Sequence, residues 1–242
     1  MEALTVVEAR RLVRKNLDEL DANASAMYAV QDADKKEMDA LIDQNLPEAI
    51  NAVHIAAPAH LMEGEYDYGS YFVLTDVKED GEVVFNFESE DFLRLVALRA
   101  SDSKITVTDV LEESSPEGRK QLNKYVRGTY DRPRLVREQQ VGDNYPVFRY
   151  YSMSQEWLDG NASRIGNASV SDGFVDDESF SEVFPIASFV LKQEYDTLNP
   201  TDNYPISHRL KQNIIDYLTG LVMVIYGDQR ADGFFQRAND FK

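Results

Sequence analysis

The sequence predicts an α+β fold in which N- and C-terminal helices pack as a helical core around a β-rich central insertion. Three observations predict it. Apolar residues recur at helical spacing in the N-terminal quarter and again in the C-terminal sixth, the intervening stretch switches to strand-like alternation, and turn formers cluster inside that stretch rather than at its ends. The implied boundaries are 1–63 with 204–242 for the helical core and 64–203 for the β-rich region, within which 155–182 forms an acidic loop.

The first helix starts at Thr5, because Thr5-Val6-Val7-Glu8 has capping-box spacing: a hydroxyl to accept the N3 amide and a Glu to reach back. Val6, Ala9, Val13, Leu17 and Leu20 then fall on one face, with Arg10, Arg11, Arg14 and Lys15 mostly off it. A second helix opens at Asp34 and carries Met38, Leu41, Ile42, Leu46, Ile50 and Val53, with Pro47 expected to kink it or to start a new helix after Asn45. It stops near Ala56-Ala57-Pro58, since the residue before a proline is pushed out of the α region.

Residues 71–77 and 82–87, joined through Asp80-Gly81, read as a β-hairpin. Phe92 to Arg99 reads as a strand leading into Ile105 to Val110, Ser115-Pro116-Glu117 opens a short helix to about Lys124, and further strands fall at 135–140, 147–153 and 184–191. Between Trp157 and Glu182 turn formers outnumber core formers, which predicts a long loop. Ile206, Leu210, Ile214, Leu218, Leu221 and Ile225 restore helical spacing up to Gly227-Asp228, where Asp228 is placed to cap a final helix bearing Phe234, Phe235, Ala238 and Phe241.

The chain has 242 residues with 43 Asp and Glu against 25 Lys and Arg, a formal charge of −18, which is the wrong sign for gripping nucleic-acid phosphates. It has no cysteine, which excludes disulfide scaffolds, thiolate zinc sites and Cys nucleophiles. Its most apolar stretch, Ile214 to Tyr226, is interrupted by Asp216 and falls short of the ~20 residues a bilayer requires, and the start lacks a leader pattern, so the chain reads as non-membrane and cytosolic, or assembled in a cytosol. The acidity is local: 151–203 holds ten acids against Arg164 and Lys192, whereas the segment from Tyr204 onward is near neutral.

No enzyme signature emerges, since a Gly-x-Ser-x-Gly elbow, a Walker A loop and a Gly-x-Gly-x-x-Gly fingerprint are absent. His54 and His60 are six apart with Pro58 between, off the spacing that sets two ligands on one helical face, and His54 reads as a helix residue with His60 in the following loop. The loop from Asp172 to Glu182 lacks the acidic spacing of a Ca²⁺-binding EF-hand and reads as solvated. No cofactor, metal or catalytic residue is therefore assigned. Arg127-Gly128-Thr129-Tyr130-Asp131-Arg132-Pro133-Arg134 is the one local basic patch, and in so acidic a chain it reads as a turn whose arginines meet acidic surface on a neighbour.

The order of several segments resembles a known group. An N-terminal Glu-Ala-Arg-x-Leu-Val-Arg helix, Leu46-Pro47-Glu48-Ala49-Ile50-Asn51-Ala52-Val53-His54, Asp91-Phe92-Leu93-Arg94-Leu95-Val96-Ala97-Leu98, Tyr125-Val126-Arg127-Gly128-Thr129-Tyr130-Asp131-Arg132-Pro133, and Leu218-Thr219-Gly220-Leu221 with Tyr226-Gly227-Asp228 are similar to the head–tail connector, or ring, proteins of crAss-like podophages and similar prophages of gut Bacteroidetes. The resemblance covers most of the chain outside the acidic loop, and segment order carries it. It implies a virion structural protein: a homo-oligomeric ring, dodecameric in that group, below the portal protein and beside other tail rings, around double-stranded DNA that passes without tight binding. An acidic wall suits that passage, because it repels phosphate.

Ring closure needs two different complementary patches on each subunit. The acidic loop with Asp172, Asp176 and Asp177, and the arginines Arg127, Arg132 and Arg134, are the expected halves of that contact, while Phe234, Phe235 and Phe241 on the last helix are expected to dock on the portal or on a neighbouring ring. The competing expectation is a small cytosolic or extracytoplasmic binding module for carbohydrate or protein, of which the single Trp and the absent leader disfavour the extracytoplasmic carbohydrate form.

Overall fold

Thr5 sets the first helix as its hydroxyl accepts the Glu8 amide at 3.0 Å, and α1 runs Val6–Asp21. The computed structural model describes residues 2–21, 32–62, 65–67, 72–77, 82–87, 89–100, 105–123, 125–129, 131–138, 145–151, 185–195 and 203–241. The fold is α+β. It comprises two compact units, one of residues 1–64 with 190–242 and one of residues 65–189.

In the first unit the helical stripe of α1 is buried at Ala9, Val13 and Leu17, facing α2 (Asp32–Ala56) and α4 (Lys211–Ile225). Arg10 pairs with Asp43, its Nε donating to Oδ1 at 2.8 Å, and Arg14 pairs with Asp39 at 2.6 Å, so the polar flank of α1 is stitched to that of α2. Helix α2 runs through Pro47 as one element, where the sequence suggested a kink or a new start. Proline removes a ladder bond worth ~3 kcal/mol in a helix interior. Burial of Ile42, Leu46, Ala49, Ile50 and Val53 at ~1.5–3 kcal/mol per large side chain offsets it, and the Asn45 side-chain amide donates to the Leu41 carbonyl at 2.7 Å one turn back.

The opening residues form a strand that periodicity did not reveal: β1 (Glu2–Thr5) pairs antiparallel with β10 (Asn203–Ile206) and buries Leu4, Tyr204 and Ile206. Ile206 was therefore expected in a helix and lies in a strand; the helix itself starts later, through a 3₁₀ turn at His208–Leu210. Pro205 fits a strand of this two-stranded ribbon because one side of each strand needs no donor. Helix α4 buries Ile214, Ile215, Leu218, Val222 and Met223, while Ile225, expected on that stripe, is exposed with Val224.

Helix α4 ends in a Schellman motif: Gly227 has φ +71°, its amide reaches the Val224 carbonyl, and Asp228 N–H reaches that of Met223, both at 2.9 Å. Asp228 does not cap the final helix, α5 (Ala231–Ala238), as expected; the cap position is Arg230, and Asp228 accepts the Arg230 amide at 2.9 Å and pairs with its guanidinium.

The second unit is built on two sheets. One orders β2 (Glu65–Asp67), β9 (Pro185–Leu191) and β5 (Phe92–Ala100); the other orders β3 (Phe72–Val77), β4 (Glu82–Phe87), β8 (Val147–Tyr151), β7 (Arg134–Arg137) and β6 (Val110–Glu112). β3 and β4 form the expected antiparallel pair, and β6 runs parallel to β7. Of the expected strand from Ile105 to Val110, only Val107 bridges back to Leu98 before β6 begins. The short helix α3 (Pro116–Lys120) is capped by Ser115, whose hydroxyl accepts the Gly118 amide at 3.0 Å, and it ends four residues before the expected Lys124. Phe85, Phe87 and Phe148, with Phe92 and Phe189, form an aromatic core in which Phe85 stacks on Phe148 at 5.6 Å and Phe87 on Phe92 at 4.7 Å.

Candidate functional site

The register β4–β8–β7 decides which chemistry shares a face of the larger sheet. Glu82, Tyr151 and Arg134 sit opposite one another in one row, and Val84, Arg149 and Val136 in the next. Alternation sends Phe85 and Phe148 to the aromatic side and leaves Glu82, Arg149 and Tyr151 on the other. Arg149 lies between two carboxylates: Nη1 is 3.1 Å from Glu82, and Nε donates to Glu138. Burial alone would lower the Arg149 pKa, but the bond to Glu138 and the charges of both carboxylates outweigh it and hold the guanidinium charged. Tyr151 is buried at the end of this row, and burial, reinforced by the charge of Glu82, raises its hydroxyl pKa.

Against this row packs the basic turn. Arg127 stands over the Tyr151 ring with its guanidinium carbon 5.9 Å from the centroid. The next residue is Gly128 because nothing larger fits: a Cβ there would meet the Tyr151 carbonyl oxygen at 2.6 Å and the Arg134 amide nitrogen at 2.7 Å. Thr129 and Arg132 exchange backbone hydrogen bonds of 3.1 and 3.0 Å across the turn, which returns the chain to β7 at Arg134. From the other side, Gln121 is buried and bridges the base of the preceding loop, its Nε2 donating to the Glu117 carbonyl at 3.3 Å and its Oε1 accepting the Gly128 amide at 2.8 Å.

Residues 117–137 carry seven Lys and Arg against Glu117 and Asp131, a net +5, so the rest of the chain carries −23. Arg119, Lys120, Arg132 and Arg134 are exposed. The arrangement is a cationic edge, fixed to the sheet through backbone and buried side chains, in a strongly anionic chain.

The structure thus brings Arg127, Arg132 and Arg134 together on one turn, with Arg127 half-buried and the other two exposed. Asp172, Asp176 and Asp177, the expected complement, lie outside the described residues, as does the loop at 155–182. Phe234 is 4% exposed within its own unit and Phe235 packs edge-on to Tyr217 at 5.1 Å, so the apolar face of α5 is already used against α4. Phe234, expected to dock on the portal or a neighbouring ring, thus has almost no ring surface left to offer, and Phe241 is half-buried.

Among the described residues no group of three or more His, Asp or Glu comes together to hold a metal, and no helix is long and apolar enough to cross a membrane. His54 is buried on α2, and His60 is exposed in the turn Ala59–Leu61 that follows. Sequence reasoning missed the Glu82–Arg149–Glu138 cluster, whose members are distant along the chain, and the exposed Leu122, Tyr125 and Val126 that precede Arg127 in the sequence. The signal for the latter was lone apolar residues in a stretch too polar to supply a core. Comparisons with family models, curated proteins and solved structures return no match.

Proposed function

We propose that this chain is a structural subunit of a virion head–tail connector: copies assemble into a closed ring below a portal, join capsid to tail, and surround the passage taken by double-stranded DNA. The observation that carries the reading is the cationic segment 117–137, whose turn at 127–134 is held to β7 and β8, in a chain whose remainder is −23. A patch of one sign in a chain of the other is complementary to another copy of the same chain, and an interface between two different patches propagates head to tail, closing into a ring when the rotation per subunit allows it. The order of segments shared with ring proteins of crAss-like podophages supports the same role, and the acidic remainder suits a conduit from which DNA must slide free.

The test is assembly. The purified chain should pass from monomer to rings as concentration rises, seen by light scattering and negative-stain images, and rising salt should oppose it. Arg132→Glu with Arg134→Glu should weaken self-association at least tenfold, about 1.4 kcal/mol per contact, with folding unchanged because both side chains are exposed. A wild-type chain that stays monomeric at every concentration, or charge-reversed rings of unchanged size and salt resistance, would overturn the reading.

A further inference from the structure

We infer that the loop between Gln121 and Gly128 is the hydrophobic anchor of subunit docking, presenting Leu122, Tyr125 and Val126 to an acidic face of a second copy of the chain. The inference rests on the ring reading only in naming the occupant. Its own basis is the shape of the loop. Tyr125 is 84% exposed, Val126 59% and Leu122 57%, three large apolar side chains within five residues. An exposed apolar cluster of this kind buries little area within its own fold, and on soluble proteins such clusters mark contact surfaces.

The loop is also pre-shaped. The amides of Val126 and Arg127 both reach the Asn123 carbonyl at 3.0 Å, the Tyr125 amide reaches the Asn123 side-chain oxygen at 3.0 Å, and Gln121 clamps the two ends through the Gly128 amide. A loop ordered before binding gives up little further entropy on docking, so its apolar area is available as affinity. Tyr and Arg are among the side chains most enriched in residues that dominate interfaces, and here Tyr125 precedes Arg127 by two residues on the same loop.

Charge selects the occupant. The segment's +5 stands against −23 for the rest of the chain, so a second copy supplies the opposite field without a further component. Apolar contact at the tip with cationic contact at its flank describes an anchor within a charged rim.

The experiment uses the full chain with Tyr125→Ser, alone and with Leu122→Ser and Val126→Ser. Each should leave thermal unfolding unchanged, because the side chains are exposed, and Tyr125→Ser should weaken self-association about 30-fold, the effect of losing one dominant interface residue. Val224→Ser, on the other unit and about as exposed as Leu122 and Val126, is the control for general stickiness and should leave association unchanged. A photoreactive phenylalanine at 125 should cross-link to an acidic segment of a second, isotope-labelled copy. If the wild type assembles and the triple variant assembles equally well, the anchor is wrong and the ring reading stands; if the wild type never assembles, both fall. If Val224→Ser weakens assembly as much, the loop has no special role. If the wild type binds duplex DNA or anionic lipid vesicles and Tyr125→Ser abolishes that binding alone, the loop serves those partners and the second copy is not its occupant.

Discussion

The two units each bury a carboxylate and neutralise it differently. In the β unit, Glu82 on β4 meets Arg149 of the neighbouring β8 at 3.1 Å, and the same guanidinium bonds Glu138, the residue that follows β7 on the other side of β8. In the helical unit, Asp216 is buried on α4, accepts from the Gln212 side chain at 3.1 Å and from Asn16 at 3.5 Å, and meets the guanidinium of the exposed Arg237 only at 3.9 Å. A strand pair fixes opposite side chains within a few ångströms, so a full ion pair can be built into it; a three-helix seam leaves a wider gap that amides fill. The β unit therefore depends on its charge pair, whereas the helical unit tolerates a charge that it only partly compensates.

The sharpest way to break that contrast is to remove the shared cation. Arg149→Met leaves two carboxylates without the guanidinium that joined them, one of them with a side chain only 7% exposed. Breaking a buried pair costs about 3–5 kcal/mol, and the partial exposure of Glu138 places this one at the low end. Chemical denaturation, with hydrogen exchange localised to β4, β7 and β8, should show the loss in the β unit alone, and adding Glu82→Gln should recover part of it. A loss below about 0.5 kcal/mol would mean that solvent screens the pair as it does a surface bridge.

Next in size is the close approach that holds the basic turn. Gly128→Ala would press a methyl group against two backbone atoms, and neither can move without opening the β7–β8 edge. Overpacking of this kind costs about 1–3 kcal/mol. The measured consequence should be faster exchange at the amides of β7 and, on the ring proposal, weaker self-association, both without any change in charge. Unchanged exchange there would show that the turn sits on the sheet only loosely.

How far these features were legible follows from their range along the chain. The stripe Ala9, Val13, Leu17 and the cap at Thr5 are local patterns, and the structure buries the one and bonds the other as read. The β3–β4 pair was legible for the same reason, its two strands being only four residues apart in the sequence. β1 was not, because Glu2–Thr5 is a strand only through Asn203–Ile206 at the far end of the sequence. Ile225 misled because helical spacing names a face without saying where the neighbouring helix stops covering it. The arginines at 127, 132 and 134 were visible as a cluster since they lie within eight residues; that Gln121 and Tyr151 fix them could not be, as those contacts depend on sheet register.

The smallest expected effect has the opposite sign and comes from Asp216. Burial is the largest influence on it and raises its pKa, with Arg237 and then Gln212 pulling it back down, and Asn16 and Thr219 completing the polar surroundings at the α1–α4 seam. The folded state therefore holds this proton more tightly than the unfolded chain does. Its contribution to stability is fully present below the ordinary aspartate value and is lost as pH rises through the raised folded one. Asp216→Asn should remove that dependence while its side-chain oxygen keeps the Gln212 bond, so the variant should match the wild type in acid and be modestly more stable at neutral pH. Thermal unfolding across that range, with exchange read on α4 peptides, checks it. Should the variant instead lose stability at neutral pH on the scale of Arg149→Met, Asp216 would be a true partner of Arg237, and the two units would neutralise their buried charges in the same way.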